Sequence, residues 1–138
     1  MKLHYHIDGG DFVNAGKASS AVKGVLKQLN VPSRRIKRVV IALYETEVNV
    51  VAHATQGEIE VAIDSDQISI LVSDSGPGIA DVEKAMQEGF TTASKEVREM
   101  GFGAGMGQPN MKRNSDRMDI QSVPGQGTTV RIVNELKD

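Results

Sequence analysis

The sequence predicts an α+β protein built on one mainly antiparallel sheet. Three observations carry that prediction. Short segments alternate apolar and polar residues with a period of two. These strand-like segments are grouped, and the helical periodicities are segregated from them. Short Asp-, Ser-, Gly- and Pro-rich turns, rather than long linkers, join the later segments.

Each element has a local reason. Lys2–Asp8 alternates, with Leu3, Tyr5 and Ile7 on one side and His4 and His6 on the other, and Gly9-Gly10-Asp11 breaks it. From Asn14 to Leu29, the residues Ala15, Ala18, Val22, Val25, Leu26 and Leu29 keep helical spacing, and Asn30 closes that helix. Ser33 is placed to cap a second helix that runs to His53, with Ile36, Val40, Leu43, Val50 and Val51 as its buried stripe. Gln56-Gly57 ends it. Glu58–Ile63 and Gln67–Val72 form a hairpin around Asp64-Ser65-Asp66. Asp81–Glu88 reads as a short helix, Gly89–Gly107 as a polar, Gly-rich and mobile segment, and Gln108–Asp116 as another helix. Arg117–Val123 and Thr128–Val133 are strands around Pro124-Gly125-Gln126-Gly127.

At 138 residues the chain is one domain, 1–138, with enough core to fold without staples. A net charge of −2 argues against a general nucleic-acid binder, which needs a basic excess. The absence of cysteine excludes disulfides, thiolate metal sites and a cysteine nucleophile. Met1–Gly10 has no signal-like apolar region, and no apolar run reaches the roughly 20 residues of a membrane span. A soluble cytoplasmic protein is the default expectation.

Three constellations carry chemistry. In the second helix, Glu45 and Asn49 are four apart and share one face, with Ile41, Ala42 and Ala52 beside them. An amide oxygen there suits a hard cation such as Mg²⁺, and a carboxylate can orient a nucleophile or take its proton. An ordinary solvent-facing Glu/Asn pair is the competing account. Glu47 lies about 160° around the helix from Asn49 and is expected to face away. Asp74-Ser75-Gly76-Pro77-Gly78-Ile79 puts an acid after the apolar residues Ile68, Ile70 and Val72. An ionised Asp only accepts hydrogen bonds, so it would select adenine, whose exocyclic amine donates. A Pro-led type II turn accounts for the same residues equally well. Finally, Gly101, Gly103, Gly105 and Gly107 alternate before a helix, where exposed N–H groups favour phosphate, with a flexible loop as the alternative. The stretch fits neither the P-loop pattern nor the dinucleotide fingerprint.

The order of these motifs resembles the GHKL ATP-binding superfamily, and within it the compact anti-sigma-factor and stressosome-switch serine/threonine kinases. Asp74–Ile79, Glu88-Gly89-Phe90-Thr91-Thr92 and Gly125-Gln126-Gly127-Thr128-Thr129-Val130 are the most specific stretches. The resemblance implies a two-layer α/β sandwich, the Bergerat ATPase fold. Helices would cover one face of a mixed, mainly antiparallel sheet. It implies ATP and Mg²⁺ as cofactors. Asn49 would be the magnesium ligand and Glu45 the catalytic residue. Asp74, Gly76 and Gly78 would shape the adenine pocket, with Thr128 in support. Thr91 would bind nucleotide, Gly101, Gly103, Gly105 and Gly107 would meet the phosphates, and residues 81–103 would form the ATP lid.

The resemblance also implies a partner: a small STAS-type regulatory protein whose Ser or Thr hydroxyl Glu45 would aim at the γ-phosphate. The chain would be monomeric or homodimeric, with a sigma factor as a further partner. Two other expectations stand beside kinase action. One is an anti-sigma factor that sequesters its target and uses ATP as a conformational ligand. The other is a stand-alone ATPase-type regulator. His53, one turn past Asn49, reads as a cap or core residue, and His4 and His6 as solvated strand residues.

Overall fold

A computed structural model describes residues 1–76, 107–123 and 125–137. It contains β1 (Lys2–Asp8), α1 (Lys17–Gln28), α2 (Ser33–His53), β2 (Gln56–Ile63), β3 (Gln67–Ser75), α3 (Gly107–Arg113), β4 (Arg117–Val123) and β5 (Gly127–Glu135). The strands form one sheet in the order β1-β2-β3-β5-β4. Every described ladder is antiparallel, so the mixed character expected of the sheet is not seen among the described residues.

Strand registers stack the inward side chains into rows. Tyr5, Ile59, Val72, Val130 and Ile120 lie side by side across all five strands. Leu3, Val61, Ile70, Ile132 and Met118 form the next row. Helices α1 and α2 cover these rows, with Val22, Leu26, Ile36, Val39, Leu43 and Val50 in the same core. Each such fully buried aliphatic side chain contributes about 1.5–3 kcal/mol. The opposite sheet face is polar: Lys2, His4, His6, Glu60, Ser73, Arg131 and Asp119 are exposed there. The alternation seen in the sequence is therefore a one-sided sheet, apolar toward the helices and polar away from them.

Several boundaries differ from the sequence expectation. The first helix starts at Lys17 rather than Asn14. A 3-10 turn at Phe12–Asn14, extended backbone at Ala15 and left-handed Gly16 (φ 96°) delay it. Ser33 is not the cap of α2 but its first residue; Pro32 occupies the cap position, with no side-chain cap bond. Gln56 and Gly57 do not end the helix but begin β2, because both pair with β1 and with β3. Strand β3 runs on through Asp74 and Ser75, so Asp74 sits within a ladder rather than in a turn. The helix expected at Gln108–Asp116 occupies Gly107–Arg113. The expected helix at 81–88 and the lid at 81–103 lie outside the described residues.

Candidate functional site

The third inward row departs from the apolar pattern. Ile7 and Gly57 are opposite one another, Gly57 is opposite Asp74, and Ser122 is opposite Thr128. Thr128 N–H donates to Asp74 Oδ1 at 2.9 Å, which joins the two halves of the row. Thr128 Oγ1 and Ser122 Oγ are hydrogen-bonded at 2.9 Å. One end of an otherwise apolar sheet face thus carries a carboxylate and two hydroxyls. Burial raises the pKa of Asp74, and the Thr128 N–H partly offsets that rise by favouring the carboxylate. No hydrogen bond among the described residues occupies Oδ2.

Glycines let other backbone approach this acid closely. A Cβ on Gly127 (φ +147°) would collide with the Asp74 carbonyl oxygen. A Cβ on Gly76 would lie 2.9 Å from the Ala54 Cα, and one on Gly57 would lie 2.7 Å from Val50 Cγ1. These contacts seat the last turns of α2 over the ends of β2 and β3, and Thr55 N–H bonds the Ser75 carbonyl at 2.7 Å. Val50, which packs on Gly57, adjoins Asn49 in the chain, so the Asn49 end of α2 lies next to the polar end of the sheet.

On α2 itself the polar residues divide by side. Glu47, 2% exposed, turns toward α1. Its carboxylate accepts from Ala18 N at 3.1 Å, Ser19 N at 3.2 Å and Ser19 Oγ at 2.6 Å. It satisfies the open N–H groups of the first turn of α1 and sits where the helix dipole favours an anion. Glu45 is half-buried; burial raises its pKa, and a hydrogen bond with the Asn110 side chain partly offsets the rise. Asn49 keeps a buried amide nitrogen with no hydrogen-bond partner among the described residues. Which end of an amide is nitrogen is settled by its partners, so this head group has an unfilled position that suits a polar ligand. His53 ends the helix half-buried, and burial lowers its pKa.

The sequence candidates therefore fall into three sets. Asn49, Asp74, Gly76 and Thr128 gather around the C-terminal end of α2 and the adjoining end of the sheet, with Glu45 one turn earlier on the helix. Gly107 opens α3. Gly78, Thr91, Gly101, Gly103 and Gly105 lie outside the described residues. Sequence reasoning gave no site role to Gly57, Ser122 or Asn110, and marked Gly127 only as part of the Gly125–Val130 stretch. Continuing the Met118, Ile120 alternation by one step would have found Ser122; nothing local marked Asn110. His4 and His6 are exposed but not merely solvated: Glu58 pairs with His4 at 2.8 Å and with His6 at 2.5 Å. Among the described residues no group of three or more His, Cys, Asp or Glu could hold a metal ion. No described helix is long and apolar enough to cross a membrane.

Comparison with known proteins places this geometry. The profile of the family described as Histidine kinase-like ATPase domain matches residues 11–134. The chain is 36% identical over 128 residues to an anti-sigma F factor of Caldanaerobacter subterraneus subsp. tengcongensis, covering 89% of this chain and 86% of that one. It is 31% identical over 119 residues to the serine/threonine-protein kinase RsbT of Bacillus subtilis, covering 83% and 84% respectively. Among solved structures, the mycobacterial sensor histidine kinase MprB superposes with a TM-score of 0.54 at 17% identity, covering 98% of this chain and 99% of that one. A chain of the SiaB-SiaC complex from Pseudomonas aeruginosa superposes with a TM-score of 0.57 at 12% identity, covering 95% and 89%. At those identities the structures speak to the fold alone.

Proposed function

We propose, from the premise that this chain belongs to the histidine kinase-like ATPase domain family, that it is an ATP-dependent regulatory serine/threonine kinase acting on a STAS-type partner protein. One observation carries the nucleotide half of this reading: where α2 meets the end of the sheet, the buried Asn49 amide nitrogen has no described hydrogen-bond partner, and Asp74 has its Oδ1 alone engaged among the described residues. Similarity to a relative named as a serine/threonine-protein kinase supports the kinase half.

The residues suit a magnesium nucleotide. Asp74, its Oδ1 fixed by Thr128, presents Oδ2 as an acceptor for the adenine amine, and guanine would set an acceptor against it. The Ser122–Thr128 hydroxyl pair supplies further polar contacts beside it. Asn49 would hold the cation with its amide oxygen, since Mg²⁺ takes few protein ligands and completes its shell from water and phosphate. Bound Mg-ATP supplies the transferable phosphoryl group and neutralises charge as it departs. Glu45 orients the partner's Ser or Thr hydroxyl. It accepts the hydroxyl proton as that oxygen bonds to the terminal phosphorus and the bond to ADP breaks.

The test is incubation with γ-labelled ATP, Mg²⁺ and a STAS-type protein encoded beside this chain. Label is expected on a partner Ser or Thr with wild type. Glu45→Gln is expected to bind ATP and transfer none, and Asn49→Ala to lose magnesium-dependent ATP affinity. Transfer by Glu45→Gln at the wild-type rate would remove the catalytic assignment. Similarity to anti-sigma F factors favours a second reading, sequestration of a sigma factor with ATP as a conformational ligand. Co-purification with a sigma factor, without label on any partner, selects it.

A further inference from the structure

The peptide joining Gly127 to Thr128 is hydrogen-bonded at both ends. Its N–H, on Thr128, donates to Asp74 Oδ1 at 2.9 Å. Its C=O, on Gly127, accepts from Ser122 Oγ at 3.3 Å. Ser122 Oγ in turn lies 2.9 Å from Thr128 Oγ1, the hydroxyl of the residue opposite it in the β4–β5 ladder. A serine hydroxyl has one hydrogen, and a carbonyl oxygen only accepts. With the Ser122 hydrogen on the Gly127 carbonyl, the bond between the two hydroxyls is donated by Thr128. The donors therefore run one way, from the Thr128 hydroxyl to the Ser122 hydroxyl to the Gly127 carbonyl, and from the same peptide's N–H to the Asp74 carboxylate. Hydrogen bonds aligned in this sense polarise and strengthen one another. Thr128 is 8% exposed, on the side of β5 where buried Val130 and Ile132 follow it. Packing alone gives no reason for the two hydroxyls, since an apolar pair of the same shape is about as stable.

We infer that Ser122 is a specificity-determining residue for the nucleotide, which acts as a positioning residue by drawing the Thr128 hydroxyl proton away from the ligand. This rests on the reading of Asp74 given under Proposed function. With its proton committed to Ser122, Thr128 Oγ1 has only lone pairs left to offer, and an ionised Asp74 has only acceptors. The base-reading end of the sheet then presents acceptors alone. A purine with an exocyclic amine at its 6-position finds complementary groups there. A purine with a carbonyl at that position sets acceptor against acceptor. Without Ser122, the Thr128 hydroxyl is free to turn its proton toward that carbonyl and ease the mismatch that Asp74 imposes. Ser122 closes that route from the edge strand.

The test compares the magnesium complexes of ATP and inosine triphosphate, which carries a carbonyl in place of the 6-amine, by calorimetric titration of the full chain. Wild type should prefer ATP by about tenfold or more. In Ser122→Ala the ATP-to-ITP affinity ratio should narrow by about fivefold or more, and Ser122→Thr, which keeps the hydroxyl, should restore it. In a Thr128→Val background Ser122→Ala should leave the ratio unchanged, because the proton it controls is gone. A wild-type ratio in Ser122→Ala overturns the inference, and so does an equal narrowing in the Thr128→Val background. Wild type that binds neither nucleotide, or both equally, overturns the parent reading of Asp74 instead. The hydrogen-bond chain has a ligand-free readout as well. The Gly127 carbonyl carbon resonance should move in Ser122→Ala and return in Ser122→Thr, and a resonance that stays fixed in both overturns the chain whether or not nucleotide binds.

Discussion

The two ends of the inward sheet face offer a direct comparison. Both interrupt apolar rows with short polar side chains. At one end, Asn134 is 1% exposed, accepts from Asp116 N at 2.9 Å and donates to the Asn114 carbonyl at 2.7 Å. Its amide is satisfied at both ends, and it ties the turn before β4 to β5. At the other end, Asp74 has one oxygen engaged, and neighbouring Asn49 has a buried amide atom without a described partner. The same contrast recurs along α2. Both Glu47 oxygens accept bonds from the start of α1, whereas Glu45 has a single described partner, Asn110. Burial of a polar residue does not by itself distinguish structure from site. Residual hydrogen-bonding capacity does, because evolution tolerates an unmet buried group only where something else comes to meet it.

The largest effect expected from this contrast belongs to the satisfied carboxylate. Glu47→Ala strands the Ala18 and Ser19 donors and should cost about 3 kcal/mol of stability, read by urea denaturation, while the folded fraction keeps its ATP affinity. A loss of specific ATP binding at full stability would reverse the assignment of the two glutamates. Next comes Asp74→Asn, which keeps an acceptor for Thr128 but turns an NH₂ toward the adenine amine. ATP affinity should fall about tenfold or more by calorimetric titration. Stability should hold or rise at neutral pH. The pKa of Asp74 is raised in the folded state, so its charged form opposes folding, and this opposition grows as pH rises from the unfolded to the folded value. Any gain in Asp74→Asn should therefore vanish below the ordinary carboxylate range. Undiminished ATP affinity would break the comparison at its open end.

The smallest effect tests the polar outer face. Hydrogen bonds from Glu58 and then Asp8 raise the pKa of His6. That stabilisation is fully present below the ordinary imidazole pKa of about 6.5 and is lost as pH rises through the raised folded value. A His6→Gln variant should lie slightly below wild type in melting temperature at acid pH and converge with it at alkaline pH. A gap that widens with rising pH would assign His6 some other role.

Much of this was legible in the sequence because much of it is periodic. The bounds of β1 and β4, and the buried stripe of α2, follow from apolar spacing. The Asp after Ile68, Ile70 and Val72 was visible as the next step of an inward stripe. What escaped depends on partners distant in the chain. Gly57 looks like the end of a helix until Asp74 pairs with it, and pairing is a tertiary fact. Glu47 was expected only to face away from the nucleotide; that it caps α1 requires knowing where α1 lies. The late start of α1 belongs to Gly16, whose left-handed backbone packs against the Tyr44 ring. Asn110 gains meaning only when α3 docks on α2.

Gly57, Gly76 and Gly127 crowd the end of the sheet with backbone, leaving no side chain there to be exchanged. A lineage drifting toward a different base could not widen or reshape this end by ordinary substitution, since each methyl added would push strand or helix aside. Among the described residues of this row, the polar side chains open to exchange are Asp74, Thr128 and Ser122. Change of ligand preference should therefore arrive as abrupt steps at those positions rather than by gradual remodelling of the walls.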